Sequence, residues 1–112
     1  MYITINIAKD YTKTPGGRYI KEGPFSGEDF RVKILKAKFE ESISSCKKLI
    51  VILDGGYGYA PSFLEEAFGG LAREIKDRRI ADIEIISTEE PKLIDDIKEY
   101  ITKALEANYE KI

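Results

Sequence analysis

The chain predicts a single α/β domain on a mixed sheet of about four strands, with helices mainly on one face. Three observations carry that expectation. Leu49–Leu53 is wholly apolar and rich in branched residues, as a central strand buried on both faces should be. Three other stretches repeat apolar residues at helical spacing. These stretches alternate with short apolar runs, and strand–helix–strand at this spacing calls for parallel pairing through right-handed crossovers. The order read along the chain is β-β-α-β-α-β-α, with no internal repeat and no linker.

Tyr2–Ala8 alternates in part, Ile3, Ile5 and Ile7 against Thr4, Asn6 and Ala8, and reads as a half-buried strand. Lys9–Gly17 is polar and closes on Pro15-Gly16-Gly17, a turn signal; Arg18–Lys21 then reads as a short second strand, the return arm of an antiparallel hairpin. Gly23-Pro24 breaks the chain before a well-marked helix start. Ser26 is placed to cap it, Asp29 follows three residues on, and Phe25 and Phe30 hold the hydrophobic-staple positions. That helix should run from about Gly27 into the low forties. Leu35, Phe39, Ile43 and Cys46 lie on one stripe, so Cys46 is expected to be a buried thiol. A second helix is expected over roughly Ser62–Lys76, a strand over Ile83–Ile86, and a last helix from near Glu89. Ser87 and Glu90 have capping-box spacing at that final start.

Composition narrows the function classes. The 112 residues suffice for one modest core without disulfides or metal. The net charge is −2, and the 18 basic residues are interleaved with acids, so no nucleic-acid footprint is expected. No apolar run approaches the ~20 residues that span a bilayer, and the opening YITINI lacks a signal-like pattern, so no membrane association is expected. A single cysteine, Cys46, suits a reducing compartment; the expectation is the cytoplasm. Histidine is absent, which removes the commonest general base, the Ser–His and Cys–His pairs and the usual zinc ligands.

The informative stretch is Leu49–Leu71, LIVILDGGYGYAPSFLEEAFGGL. An apolar strand ends at Asp54, a turn rich in glycine and tyrosine follows, and Ser62 opens a helix. Ser62 and Glu65 have the capping-box spacing, so the hydroxyl can cap orphan N–H groups; the same position can accept a phosphate, which a helix start tolerates. Asp54 reads first as a turn acceptor, and second as a carboxylate at the ligand-binding edge of an α/β sheet. Gly55, Gly56 and Gly58 permit close backbone approach to a phosphate, but the P-loop lysine and the dinucleotide fingerprint are both missing. Tyr57 and Tyr59 suit a stacked ring or a protein interface. Phe63 lies off the main stripe and is an interface anchor if exposed, core if packed. Gly69-Gly70 inside a helix costs about 1 kcal/mol per glycine, which calls for close packing there. Arg18 can reach an anion at the Ser62 helix start if the hairpin lies beside it.

Two blocks, GGRYIKEGPFSGEDF (Gly16–Phe30) and LDGGYGYAPSFLEEAFGGL (Leu53–Leu71), resemble the small STAS-like domains of bacteria and archaea known as a domain of unknown function. The S-F-L-E-E-A-F-G-G-L run is the specific part. The resemblance implies a STAS-like fold. In anti-sigma-factor antagonists of that fold, a strand ending in Asp leads to a serine at the next helix start. An ATP-dependent serine kinase of the histidine-kinase-like ATPase fold phosphorylates that serine and is thereby released. By motif position Ser62 is similar to the phosphoacceptor and Asp54 to the strand-terminal acid. The antagonists read D-S-S/T-G there, where this chain reads A-P-S-F.

The expectation is therefore a non-enzymatic regulatory module with no cofactor and no metal. It would bind a protein partner, a histidine-kinase-like ATPase or serine kinase, through Tyr57–Phe68, with Ser62 as a switch. The alternative is a sensor of a small ligand, nucleotide or phosphate at the glycine-rich turn and helix start. A metal-assisted enzyme built on Asp54 is the weakest reading.

Overall fold

The computed structural model describes residues 1–110. Strand β1 (Tyr2–Asn6) leads into a single helical turn, α1 (Ile7–Asp10), where Asn6 caps the Lys9 N–H. Helix α2 is continuous through Gly27–Phe30, a widened π turn over Arg31–Leu35, and Lys36–Ser44. Strand β2 (Lys48–Ile52) precedes α3, which likewise runs through Pro61–Leu64, a π turn over Glu65–Gly69, and Gly70–Ile75. A 3-10 turn, Arg78–Asp82, leads to β3 (Glu84–Ile86), and α4 spans Lys92–Glu110. No described helix is long and apolar enough to cross a membrane.

Among the described residues the sheet has three strands, order β1-β2-β3, and both pairings are parallel. The expected fourth strand and the mixed sheet are thus corrected. Arg18–Lys21 does not pair with β1; Ile20–Glu22 forms a 3-10 turn instead. The carbonyls of Gly17 and Arg18 accept from the N–H groups of Gly27 and Glu28, at 3.1 and 3.0 Å. The segment is therefore drawn to the orphan donors at the start of α2 rather than to a sheet edge.

Strand β2 is central, as its apolar run predicts, but it is not buried on both faces. Ile3, Ile5, Leu49, Val51 and Ile85 enter the core with the helices, whereas Ile50, Ile52 and Ile86 on the other face remain partly exposed. The helix starts follow local chemistry. The buried Ser26 side chain accepts from the Asp29 N–H at 3.0 Å, as expected of a cap. Tyr11 inserts between the staple residues, 5.6 Å from the Phe25 ring and 5.3 Å from Phe30. At α4, Ser87 donates to the Glu90 carbonyl, so the expected capping box does not form. Cys46 is exposed, with φ +56°, because it turns the chain out of α2 instead of extending the buried stripe.

Helices α2 and α3 meet at their N-terminal ends. A Cβ on Gly27 would press on the Phe63 carbonyl oxygen, and the Phe30 and Phe63 rings stack across this seam at 5.9 Å. The glycine is what lets the two backbones approach so closely.

Candidate functional site

The loop 53–60 lies at the carboxyl edge of the sheet, and neighbouring segments hold it in place. Asp54 accepts from the Glu89 N–H at 2.9 Å and from the Thr88 hydroxyl and N–H at 2.7 and 3.1 Å. These donors hold its carboxyl below the usual range, the Glu89 N–H foremost. Asp54 is expected from the sequence to bond the N–H groups of its own following turn; it accepts from the β3–α4 connection instead. Glu89 reciprocates by accepting from the Gly55 N–H at 2.9 Å. The Tyr57 N–H donates to the Lys13 carbonyl at 2.9 Å, and a Cβ on Gly56 would stand 3.2 Å from that same oxygen. Gly55 and Gly58 adopt φ +98° and +120°, angles that favour glycine.

The two tyrosines separate in role. Tyr59 is half-buried and donates to the Leu53 carbonyl at 2.9 Å. Burial, with the charges of Asp54 and Glu89, pushes its phenol up to about 12. Tyr57 stands 83% exposed at the loop tip. Beneath the loop is a cleft of only about 60 Å³, between Asp54, Tyr59, Glu89 and Leu93. It is too small for a nucleotide, since ligand pockets run to about 300 Å³ and above. Two of the N–H groups an anion would use are taken, and the carboxylates of Asp54 and Glu89 flank the same turn. Both facts work against an anion at the glycines. Among the described residues no cluster of three or more acidic or cysteine side chains is arranged to hold a metal.

Ser62 is not the helix cap. Ala60 occupies that position and Pro61 is the first helical residue, which places Ser62 second. The N–H groups of Phe63 and Leu64 both bond the Ala60 carbonyl, at 3.1 and 3.3 Å. The Ser62 hydroxyl forms no side-chain bond among the described residues and is partly exposed. Phe63 is fully buried against Phe30 and Tyr59, so it is core and no interface anchor.

Arg18 does reach α3, but one turn beyond the start. It pairs with Glu65 and, at 3.4 Å, with Glu66. Arg73 holds Glu65 at 2.6 Å, and the Arg73 and Arg18 bonds together keep that carboxyl below its ordinary value. Arg31 reaches from the π turn of α2 into the π turn of α3, donating to the Glu66 carbonyl at 2.8 Å and to its carboxylate at 2.6 Å. Gly70 leaves room for this guanidinium: a Cβ there would collide with the Arg31 Nη1 and stand 3.1 Å from its Cζ. At Gly69 the obstacles would be the tips of Glu65 and Arg73. The glycine pair therefore accommodates an ion network and not a helix backbone. Sequence reasoning missed Arg31, Glu66 and Arg73. No local spacing pairs these residues, because Arg31 and Glu66 meet only where α2 packs on α3.

A STAS-like family model matches residues 26–93, which takes in α2, the glycine loop, α3 and β3. The chain belongs to that family, described as the STAS-like domain of unknown function (DUF4325). No curated protein and no solved structure matches the chain. The Arg18 segment precedes the matched region, yet its guanidinium bonds residues within it.

Proposed function

We propose that this domain is a non-enzymatic regulatory module that docks a protein partner through the tip of the glycine loop and the start of α3. The observation that carries the reading is Tyr57, a fully presented aromatic on a backbone pinned from two sides, by Lys13 and by Glu89. An aromatic that loses little freedom on binding is the kind of side chain that concentrates interface energy. Pro61 and Ala60, both exposed, extend the surface toward Ser62. The partner class suggested by the STAS resemblance is an ATPase or serine kinase of the histidine-kinase-like fold.

Ser62 is the proposed switch. Its hydroxyl has no competing bond, and the acids one turn on, Glu65 and Glu66, are met by Arg18, Arg73 and Arg31. A phosphate adds about −1.5 to −2 charge beside the docking surface, enough to repel an acidic or apolar contact.

The test is a calorimetric titration of purified histidine-kinase-like ATPases from the same genome against wild type, Tyr57→Ala and Ser62→Asp, with ATP incubation and mass spectrometry alongside. Tyr57→Ala should weaken binding by about thirtyfold or more, the range of an interface hot spot, with thermal stability unchanged. Equal binding by Tyr57→Ala would remove the docking surface. An unmodified Ser62 together with wild-type binding by Ser62→Asp would remove the switch.

A further inference from the structure

At the amino edge of the sheet, opposite the glycine loop, the end of α2, the starts of β2 and β3 and the Arg78–Asp82 turn enclose a cleft of about 330 Å³. Its floor is core: Phe39, Leu49 and Ile83 are buried beneath it, and the partly buried Ile43 forms a wall. The rim is cationic. Lys47 and Lys48 line it from the turn that Cys46 creates, and Arg79 lines it from the turn before β3.

Lys47 is the uncommitted cation of the three, whereas Lys48 and Arg79 each have an acidic partner, Glu84 and Asp77, outside the lining. The Lys47 ammonium forms no ion pair among the described residues, and Lys48 meets Glu84 only at 3.8 Å. Arg79 is held by Asp77 through Nε and Nη2, at 3.0 and 2.7 Å, which fixes the guanidinium while leaving Nη1 without a bond in the described structure. Asp82 is the lone carboxylate in the lining, against three cations. The other polar side chain, Ser42, spends its hydroxyl on the Phe39 carbonyl at 2.6 Å. An apolar floor under a cationic rim selects for one ligand chemistry.

We infer that this cleft binds a small amphipathic anion, an aliphatic or aryl acid. Its apolar body lies on Phe39, Ile43, Leu49 and Ile83, and its acid group lies between Lys47 and Arg79. The site is at the far edge of the sheet from Tyr57 and Ser62, and it stands or falls independently of the docking surface.

Octanoate is a suitable probe, with 1-octanol and octylamine as neutral and cationic isosteres. Each is titrated at low salt into the full chain labelled with 15N. Octanoate should give saturable shifts at the amides near Ile43, Lys47, Arg79 and Ile83, with none at Gly55–Tyr59. The alcohol should bind about tenfold more weakly, the worth of one charge-assisted contact. In the double variant Lys47→Gln, Arg79→Gln the two affinities should converge, and raised salt should weaken octanoate alone. Both substituted side chains are exposed, and an unchanged melting temperature verifies that the fold persists. Non-saturating shifts, shifts scattered over the surface, or octylamine binding as well as octanoate would each overturn the assignment.

Discussion

Gly27→Ala tests the close approach of α2 to the main chain of α3. Gly27 is the first residue of α2, and an added Cβ would press on the Phe63 carbonyl oxygen and stand 3.1 Å from both the Phe63 carbonyl carbon and the Glu66 Cβ. The obstacle is main chain within α3 and cannot rotate aside, so the helices must part. Overpacking of this kind costs about 1–3 kcal/mol. Separation also loosens the Phe30–Phe63 stack that spans the seam. Alanine recovers at most about 1 kcal/mol of helix propensity, and less at a first-turn position. The net loss should be about 1–2 kcal/mol. For a chain of this length the unfolding entropy is about 0.24 kcal/mol/K, so the melting temperature should fall by about 4–9 °C. Gly16→Ala is the control, since no atom lies within 4 Å of its Cβ and its φ is not in the left-handed region. It should change stability by no more than about 0.5 kcal/mol. Urea unfolding followed by circular dichroism reads both variants, with a shifted midpoint at constant m for Gly27→Ala. Equal midpoints for the two variants would refute the close approach of α2 and α3.

Four further substitutions test the ion network and the glycine loop. Gly70→Ala should destabilise by about 1–2 kcal/mol, because displacing Arg31 from the Glu66 carbonyl and carboxylate outweighs the helix propensity gained. Gly69→Ala should lose less in the same urea assay, its obstacles being the movable tips of Glu65 and Arg73. Asp54 has a lowered folded-state pKa, so its contribution is present above the unfolded value near 4 and disappears as pH falls through the folded one. Asp54→Asn should therefore flatten the acid limb of a plot of melting temperature against pH; parallel limbs would contradict the Thr88–Glu89 bonds. Tyr59 has a raised pKa, so its contribution is intact below about 10 and is lost as pH rises through about 12. Ultraviolet titration of phenolate should show the late-ionising fraction shrink by one tyrosine in Tyr59→Phe, while Tyr11 and Tyr100, which burial and nearby acids also raise, still ionise late.

The strands and helices that periodicity places well are those whose partners are local or apolar. Leu49–Leu53, the Leu35–Phe39–Ile43 part of the stripe and the Ser26 cap all emerge from side-chain pattern and i,i+3 chemistry, and the structure contains them, whereas Cys46 leaves the stripe. The failed strand at Arg18–Lys21 had no such support. Its backbone is used by the N–H groups of Gly27 and Glu28, a tertiary competition that four residues of sequence do not display. The two π turns are equally silent. No residue pattern marks Arg31–Leu35 or Glu65–Gly69 as widened, yet the widening is where Arg31 gains the Glu66 carbonyl.

At the site, the misread residue was Ser62, and the reason is a degeneracy in spacing. Serine followed three residues later by glutamate describes a capping box, and it equally describes two neighbours on the exposed face of a helix already begun. Pro61 separates the cases. Proline is favoured at the first helical position because it lacks the N–H that would otherwise be orphaned, and that preference moves the cap back to Ala60. Glu65 is then free to pair with Arg18 and Arg73 instead of reaching back to a serine. Freed from capping, the Ser62 hydroxyl is chemically a different group. Its modification would break no bond that the fold depends on, so the effect of Ser62→Asp on a partner can be read without a confounding loss of stability.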